Sequence, residues 1–450
     1  MNNTGIIREI KEYLDRLFPI YRSITGQGNR ETLETLQEIA PINIVEYPSG
    51  TEVYDWKIPD EWQVSNAWIE DVNGSRIVDF HENNVHLVGY STPVDKSMNF
   101  QDLKGHLHVH GEIPEAIPYR TSYYEKNWGF CVKNSQYLAL KQADGPLHVK
   151  IESSFNSHGS LTIGELLISG KSEKEILIST YMCHPSLAND NLSGVLMTAF
   201  LARELLKKDG LQYSYRIIWV PETIGAVSYC SMNEASMKEI DVGFVITTVG
   251  GPGDFGYKQS YDDSHEINSI VERAFKARDI NFLRYPFDIH GSDERQYSSQ
   301  GFRINIVSIT KDKYYEYPYY HTSFDNLDFV KAEYIFQSLE IYLDSLNFLE
   351  SDFGTWAEPQ KSKQLDVPVY RNNYPYCEVM LSKHNLYPVI GGGQLPKVGD
   401  RSELDLILWL LFWCDGSNTL RDVARKLGVG YSDLEVVAKK LLSKEVLSFG

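Results

Sequence analysis

The chain has 450 residues and a net charge of −18, with 42% hydrophobic and 23% charged residues, a composition that predicts a globular protein of two to three domains. The negative charge argues against general binding of nucleic acid or of an anionic membrane, because phosphate groups would repel it. No uninterrupted apolar stretch reaches about 18 residues, so we expect no membrane span.

The N-terminal stretch MNNTGIIREIKEYLDRLF predicts an amphipathic helix, and residues 5–40 predict one or two helices with a break at Gly26–Gly28. This stretch lacks the basic flank and apolar run of a signal peptide. Five cysteines are scattered along the chain without a CxxC pair, as in a reducing compartment. We therefore expect a cytoplasmic protein. A first strand is predicted within residues 42–50.

From about residue 60 the pattern changes to short runs such as RIVDF, VHLVGY and LHVHG, which alternate apolar and polar residues between turn signals. Such runs are typical of small antiparallel strands. We interpret residues 61–149 as an inserted β-rich domain, called here the inserted unit. His106, His108 and His110 would share one face of a strand there and could bind a metal, an interpretation that we do not favour.

From residue 151 predicted strands alternate with predicted helices. SLTIGELLISG and KEILISTYMCH indicate a hairpin, and the later strands are SYRIIWVP, VGFVITTVG and INIVSIT. This alternation predicts an α/β fold, a mostly parallel sheet sandwiched by helices, built from residues 1–60 and 150–355.

The end of the chain is predicted to form a connecting segment, residues 356–399, and a winged-helix-like domain, residues 400–450. The last 51 residues hold seven basic and eight acidic side chains. A DNA-binding helix usually carries a clear basic excess. We therefore favour a packing or protein-contact role, with a protein partner or a second copy of the chain as open alternatives.

Polar side chains follow the predicted parallel strands at the edge where such sheets bind ligands. His184 ends ISTYMCH and Asp190 follows six residues later; Glu222 comes directly after IIWVP, and His321 follows INIVSIT. Imidazole and carboxylate groups at adjacent strand ends are what a hydrolytic zinc site needs.

Further residues of the same pocket are expected from the loop before INIVSIT and from the aromatic run YYEYPYY after it. They are Asp293, Glu294 and Tyr320. The aromatic run is more often a packing element or a pocket wall than a source of catalytic groups.

Each of the four main residues also has a structural interpretation. Asp190 could cap the helix that begins near Leu192, and Glu222 could be a first-turn residue that the helix dipole favours. His184 or His321 alone would more often be a hydrogen-bonded structural histidine. The metal-site interpretation depends on all four lying at the same edge of one sheet.

Together these segments resemble the co-catalytic zinc aminopeptidases, whose fold also serves glutaminyl cyclases. The resemblance covers roughly residues 150–350 and rests on four motifs in matching order: CHPSLANDNLSGVLMTAFLAREL, VPETIG, HGSDERQYSSQGF and YHTSFDNLD. The whole chain is most similar to a bacterial branch described as aminopeptidase-like, with an inserted domain and a C-terminal winged helix. YRTSYYEKNWGF, residues 119–130, also resembles that branch.

The resemblance implies roles for four residues. His184 and His321 would be metal ligands, Asp190 would be the carboxylate that bridges two metals, and Glu222 would be the general base. A peptide N-terminus or another small polar group of the substrate would sit against the inserted unit.

The chain departs from the family at two ligands. The second Glu of the family falls on Thr223, and the Asp after the next strand falls on Thr247, or on Thr248 with a slip of one residue. A neutral hydroxyl is a weak zinc ligand. We therefore expect one zinc ion rather than two, held by His184, Asp190 and His321 with a water, while Glu222 serves as base or as fourth ligand. Asp293 or Glu294 could compensate for the missing carboxylates.

The predicted function is that of a metal-dependent hydrolase of the aminopeptidase or amidase type, acting on a small peptide-like, amide or amino-sugar-like substrate. A non-catalytic ligand-binding or regulatory protein on a degenerate peptidase scaffold is the alternative, with the winged helix as interaction module. An acyl-transfer enzyme of the glutaminyl-cyclase type is a third interpretation, although its usual ligands include the missing Glu. The presence or absence of bound metal discriminates between the first two.

Overall fold

A computed structural model describes residues 3–354, 369–387 and 402–449 of the chain. Within these ranges, no helix has the length and apolar character needed to cross a membrane.

The described chain begins with two helices and a strand, as predicted. They are α1 (Asn3–Leu17), α2 (Gln27–Leu36) and β1 (Asn43–Pro48). The amphipathic helix α1 buries Ile10, Leu14 and Leu17, which recur at the spacing of one helical face.

The next hundred residues form two strands of ten residues, several short strands and two short α-helices. In chain order they are β2 (Glu52–Val53), β3 (Trp56–Lys57), β4 (Glu61–Glu70), β5 (Arg76–Asp79), β6 (Val94–Met98), α3 (Phe100–Leu103), β7 (Leu107–His108), β8 (Phe130–Cys131), α4 (Asn134–Gln142) and β9 (Leu147–Asn156). Strands β5, β4, β9 and β6 pair in that order into an antiparallel sheet.

The predicted strand with three aligned histidines is wrong. The extended segment covers only β7, while His106 lies in a helical turn and stacks on Trp128 with ring centroids 3.7 Å apart. His110 accepts backbone N–H groups of Glu112 and Ile113. Because a β-strand of two residues cannot align three side chains, the histidines do not form one face.

The central part of the chain alternates strands and helices. In chain order these are β10 (Ser160–Ile168), β11 (Glu175–Tyr181), α5 (Gly194–Leu206), β12 (Ser214–Val220), α6 (Ile224–Met232), α7 (Glu234–Lys238), β13 (Val242–Val245), β14 (Gly256–Lys258), α8 (Glu266–Ala277), β15 (Leu283–Tyr285), α9 (Glu294–Tyr297), β16 (Asn305–Thr310) and α10 (Ala332–Ser351).

These strands join β1 in one eight-stranded sheet of order β1-β10-β12-β11-β13-β16-β14-β15. The four central strands β12, β11, β13 and β16 are parallel, and the predicted mostly parallel core with helices is confirmed. The predicted hairpin of β10 and β11 is wrong, because β12 pairs with both and separates them. Strand β11 is buried on both faces because each face of the sheet is covered by a separate hydrophobic core.

Both faces of the sheet are covered. In β11, Ile176 and Ile178 pack into the core that contains side chains of α1, α5, α8 and α10, whereas Leu177 points to the opposite face. There it joins a second core that includes Trp62 and Val149 of the inserted unit together with α6. The inserted unit therefore shares a hydrophobic core with the sheet.

The C-terminal elements form a compact helical unit with a small sheet. They are β17 (Tyr370–Asn372), α11 (Glu403–Trp413), α12 (Leu420–Leu427), α13 (Tyr431–Ser443) and β18 (Leu447–Phe449). Strand β17, from the segment predicted to be a connection, pairs antiparallel with β18. The remainder of that predicted connection, at residues 356–368 and 388–399, lies outside the described residues.

This unit packs against the loop that precedes α9 and against the turn that precedes β16. The ring nitrogen Nε2 of His290 pairs with the Asp405 carboxylate, and Arg303 Nη2 lies 3.0 Å from Asp415 Oδ2. The rings of Phe287 and Phe412 pack against each other, tilted by 32°, with centroids 5.2 Å apart. The C-terminal unit thus contacts the chain three residues before Asp293.

Candidate metal centre

The predicted site residues lie at one edge of the sheet. His184 follows the end of β11 by three residues, Glu222 follows β12 by two and Thr247 follows β13 by two, while His321 lies in the loop after β16. Because these four strands run parallel, their carboxyl ends meet at the same edge.

His184, Asp190 and His321 converge on one point. His321 Nε2 lies 3.0 Å from Asp190 Oδ2, and His184 Nε2 lies 3.9 Å from the same oxygen. One ligand atom from each of the three residues lies within 4.8 Å of the others. These separations suit two imidazoles and a carboxylate around a single cation.

The converging atoms are buried and incompletely paired. In the described parts of the chain, Asp190 Oδ2 and both ring nitrogens of His321 are buried without a well-aligned hydrogen bond, although His321 Nε2 and Asp190 Oδ2 lie 3.0 Å apart, at ion-pair distance. Buried polar atoms are normally hydrogen-bonded, because an unpaired one loses its hydrogen bonds to water without gaining a partner in the protein. The three residues therefore fit a metal ion that would satisfy these atoms together.

The backbone around Asp190 is fixed by Asp325, an aspartate of the segment YHTSFDNLD that the strand pattern did not single out. Asp325 accepts the backbone N–H groups of Asn189 and Asp190 at 2.6 and 2.9 Å and the hydroxyl of Tyr317 at 2.9 Å. Burial raises the pKa of Asp325 to about 7. In the sequence, the feature that could have identified Asp325 is its position four residues after His321.

The Asp190 side chain does not cap α5; it accepts a hydrogen bond from a phenol instead. Tyr181 donates its hydroxyl to Asp190 Oδ1, and the Tyr181 oxygen lies 2.6 Å from Thr247 Oγ1. Burial, and then the Asp190 charge, raise the pKa of Tyr181, so the phenol stays protonated. Asp190 is thereby left with Oδ2 as its free ligand atom.

His184 is buried, with 5% exposure, and burial lowers its pKa to about 4. The ring is therefore neutral at pH 7, the state that a metal ligand requires. Its backbone carbonyl accepts Arg22 Nε at 3.1 Å, which ties the strand end to the N-terminal region.

Glu222 lies beside the point where these three residues converge, and its side chain is the most exposed to solvent of the four. Glu222 Oε2 lies 3.9 Å from His184 Nε2, and 29% of the side chain is exposed. Desolvation, then the carboxylates of Asp293 and Asp190, raise its pKa, while Arg295 opposes them. A carboxyl group with a raised pKa beside a metal site has the properties of a general base or acid.

Asp293 and Glu294, which were expected to compensate for the missing carboxylates, do not lie among the converging ligand atoms. Asp293 accepts the backbone N–H of Thr223 at 2.7 Å and so fixes the turn that carries Glu222. Glu294 is directed elsewhere, since it accepts the Ser308 hydroxyl at 2.7 Å and lies 3.9 Å from Lys258 Nζ. Neither carboxylate belongs to a potential metal-binding group within the described residues.

Tyr320 borders the centre as a packing residue. Its ring stacks on His321 with centroids 3.9 Å apart and an interplanar angle of 13°. The expected pocket residue therefore contacts a ligand candidate directly.

Comparison with known proteins agrees with this architecture. A family model described as a domain of unknown function (DUF4910) matches residues 11–352, and one described as winged helix-turn-helix matches residues 368–449. A protein of Clostridium acetobutylicum, named for polysaccharide biosynthesis and an aminopeptidase-like domain, is 38% identical over 439 residues, which are 98% of this chain and 96% of that protein.

Solved structures show the same fold. A crystal structure from Clostridium acetobutylicum, described as that of a peptidase, has a TM-score of 0.75 at 36% identity and covers 100% of this chain and 98% of its own. BSAP, a zinc aminopeptidase from Bacillus subtilis, has a TM-score of 0.57 at 12% identity, covering 79% of this chain and 96% of its own. The predicted aminopeptidase-like fold and the C-terminal winged helix are confirmed.

Proposed function

We propose that this chain, which belongs to the DUF4910 family and has the fold of the zinc aminopeptidases, is a metal-dependent hydrolase of amide bonds. The observation that carries the proposal is the convergence of the buried side chains of His184, Asp190 and His321, whose ligand atoms lie within 4.8 Å of one another. A pocket without chemistry would have little need of that set beside a carboxyl group such as Glu222.

The proposal includes one metal ion rather than two. Tyr181 donates its hydroxyl to Asp190 Oδ1, so Oδ2 is the carboxylate oxygen more available to a cation. The hydroxyl of Thr247, where the family places an acidic ligand, is 2.6 Å from the same phenol. A phenol and a hydroxyl in a hydrogen-bonded pair leave no anionic ligand for a second cation.

Zinc, when bound, would supply Lewis-acid polarisation of the scissile carbonyl and lower the pKa of water at the site. Glu222 Oε2 would accept a proton from the attacking water as the carbon–oxygen bond forms. The same carboxyl group would return that proton to the leaving nitrogen as the carbon–nitrogen bond breaks. Asp293, through the N–H of Thr223, would hold the Glu222 turn in place.

We propose a small amide as substrate, either a short peptide or an acylated amino sugar. The name of the Clostridium acetobutylicum relative links that protein to polysaccharide biosynthesis, which favours the amino-sugar option. A cytoplasmic location completes the proposal and is supported by five free cysteines that are all buried.

Metal analysis of protein purified without chelator tests the proposal. We expect about one zinc per chain, lost in His184→Ala and His321→Ala, and hydrolysis of aminoacyl anilides or N-acyl amino sugars that the metal-depleted protein lacks. Absence of metal under all loading conditions would contradict the hydrolase and favour a ligand-binding protein on the same scaffold.

A further inference from the structure

Three residues of the inserted unit pair with the loop that carries His321. In this bridging segment, residues 117–119, Ile117 accepts the Ser323 backbone N–H at 2.9 Å and Tyr119 donates its N–H to the His321 carbonyl at 2.8 Å. Ile117 N–H also donates to Ser323 Oγ at 3.0 Å, and Pro118 lies opposite Thr322. The two segments, about two hundred residues apart in sequence, form a short antiparallel pairing.

The pairing holds His321 in an uncommon backbone conformation. His321 has a φ of +54°, which residues other than glycine adopt rarely and only where the surroundings impose it. The hydrogen bond from Tyr119 fixes the carbonyl of this residue. The direction in which the imidazole leaves the loop therefore depends on the bridging segment.

The Tyr119 ring contacts both imidazoles. Its centroid lies 5.1 Å from that of His184 and 5.1 Å from that of His321, edge-on to the latter at 82°. The two imidazole centroids are 5.5 Å apart. With 4% exposure, the Tyr119 ring is packed against both rings and limits their rotation.

Tyr119 is itself anchored in the inserted unit. Its hydroxyl lies 3.1 Å from that of Tyr123, and the following residue accepts the Gly89 N–H at 3.0 Å. The Ser122 N–H returns to the Gly89 carbonyl at 2.9 Å. The motif YRTSYYEKNWGF thus joins the body of the inserted unit to the two histidines.

We propose that Tyr119 is a positioning residue of the metal centre, so that the inserted unit sets the affinity of the site for its cation. The inference rests on the proposed function, since it concerns the same cation. Because positions that support metal ligands typically change affinity by about 10–100-fold, loss of the ring should weaken binding by that order. Binding of the cation should in turn stabilise the bridging segment, because the coupling is reciprocal.

Cobalt and zinc titrations of the full chain test the proposal. We expect Tyr119→Phe, which keeps the ring, to bind within about threefold of wild type, and Tyr119→Ala to bind about 10–100-fold more weakly with an altered cobalt absorption spectrum. Tyr124→Ala is the matched control: this residue of the same motif packs on Trp56 at 5.5 Å. It should retain wild-type affinity.

Hydrogen exchange of the wild-type protein gives a second test that needs no variant. Zinc should slow exchange of the backbone amides in residues 117–123. Unchanged exchange there, or wild-type affinity in Tyr119→Ala, overturns the inference while the hydrolase proposal stands. A wild-type chain that binds neither metal overturns both.

Discussion

The carboxylate of Asp325 holds the backbone of Asp190 in place, accepting its amide N–H at 2.9 Å on the oxygen that also receives the Tyr317 hydroxyl. Asp325 is 0% exposed. A buried carboxylate with three donors is a rigid support, because each donor would lose its partner if the carboxylate moved. The position of the Asp190 side chain follows from this contact.

Asp325→Asn should therefore weaken both metal binding and folding. The amide can accept on one oxygen only, so one buried donor loses its acceptor, which costs about 1–3 kcal/mol of unfolding free energy. We expect metal affinity to fall about 10–100-fold, as measured by zinc competition against a chelator. Asp328→Asn, at an exposed position three residues later, is the control and should leave both quantities unchanged. Equal affinities in the two variants would contradict the supporting role.

Glu222→Gln separates binding from chemistry. The substitution keeps the size of the side chain but removes the proton-accepting carboxylate, so kcat should fall about 10²–10⁴-fold. Metal content should stay at that of the wild type, because Glu222 is not needed among the three ligands. Assays of hydrolysis and elemental analysis on the same preparation measure both. Turnover within a few-fold of wild type would remove Glu222 from the mechanism.

Tyr181→Phe combined with Thr247→Asp should increase the number of metal ions bound. The pair of changes frees Asp190 Oδ1 and supplies a second carboxylate where the phenol and hydroxyl now pair. We expect cobalt titration to end near two ions per chain rather than one. Thr247→Val is the control, because it preserves the Tyr181–Asp190 hydrogen bond and should leave the stoichiometry at one. A stoichiometry of one in the double variant would show that more than these two side chains excludes a second ion.

The ion pair between Arg30 and Glu61 should make the free energy of unfolding depend on pH in the acid range. Arg30 donates two hydrogen bonds of 2.8 Å to Glu61, and lowers its pKa from 4.5 to about 2. A lowered folded-state pKa stabilises the protein above pH 4.5, and this contribution is lost as the pH falls from 4.5 towards 2.

Denaturant unfolding measured between pH 2 and 7 can detect this contribution. Glu61→Gln should lose about 2 kcal/mol at pH 7, after allowance for solvent screening, and the difference from wild type should shrink below pH 4.5. Glu31→Gln, at an exposed position of α2, should follow the wild-type profile. A Glu61→Gln deficit that is constant with pH would contradict the linkage.

Sequence patterns predicted the fold and the four main candidate site residues because these patterns depend on residues close together in the chain. Apolar periodicity marks the four central parallel strands within a few residues, and a parallel sheet necessarily brings the ends of its strands to one edge. His184, Asp190, Glu222 and His321 could be selected because each follows such a strand. The hairpin of β10 and β11 could not be judged in this way, because the strand that separates them, β12, comes later in the chain.

Tertiary structure alone determines which residues support the site. Tyr181 lies inside a buried strand, where a tyrosine is ordinarily a core residue, and its contact with Asp190 depends on the turn that follows. Tyr119 reaches the histidines from the inserted unit through pairing with a loop two hundred residues away. Glu294 and Asp293 are neighbours in sequence, yet they are directed to different partners.

By itself, then, the sequence determined the central strands of the sheet and which side chains follow their ends, because both depend on residues close together in the chain. Only the folded chain decided which oxygen of Asp190 accepts the Tyr181 hydroxyl, which carboxylate supports the Asp190 backbone and which aromatic ring packs against both imidazoles. Those outcomes depend on packing between distant segments, whose relative positions no local pattern encodes.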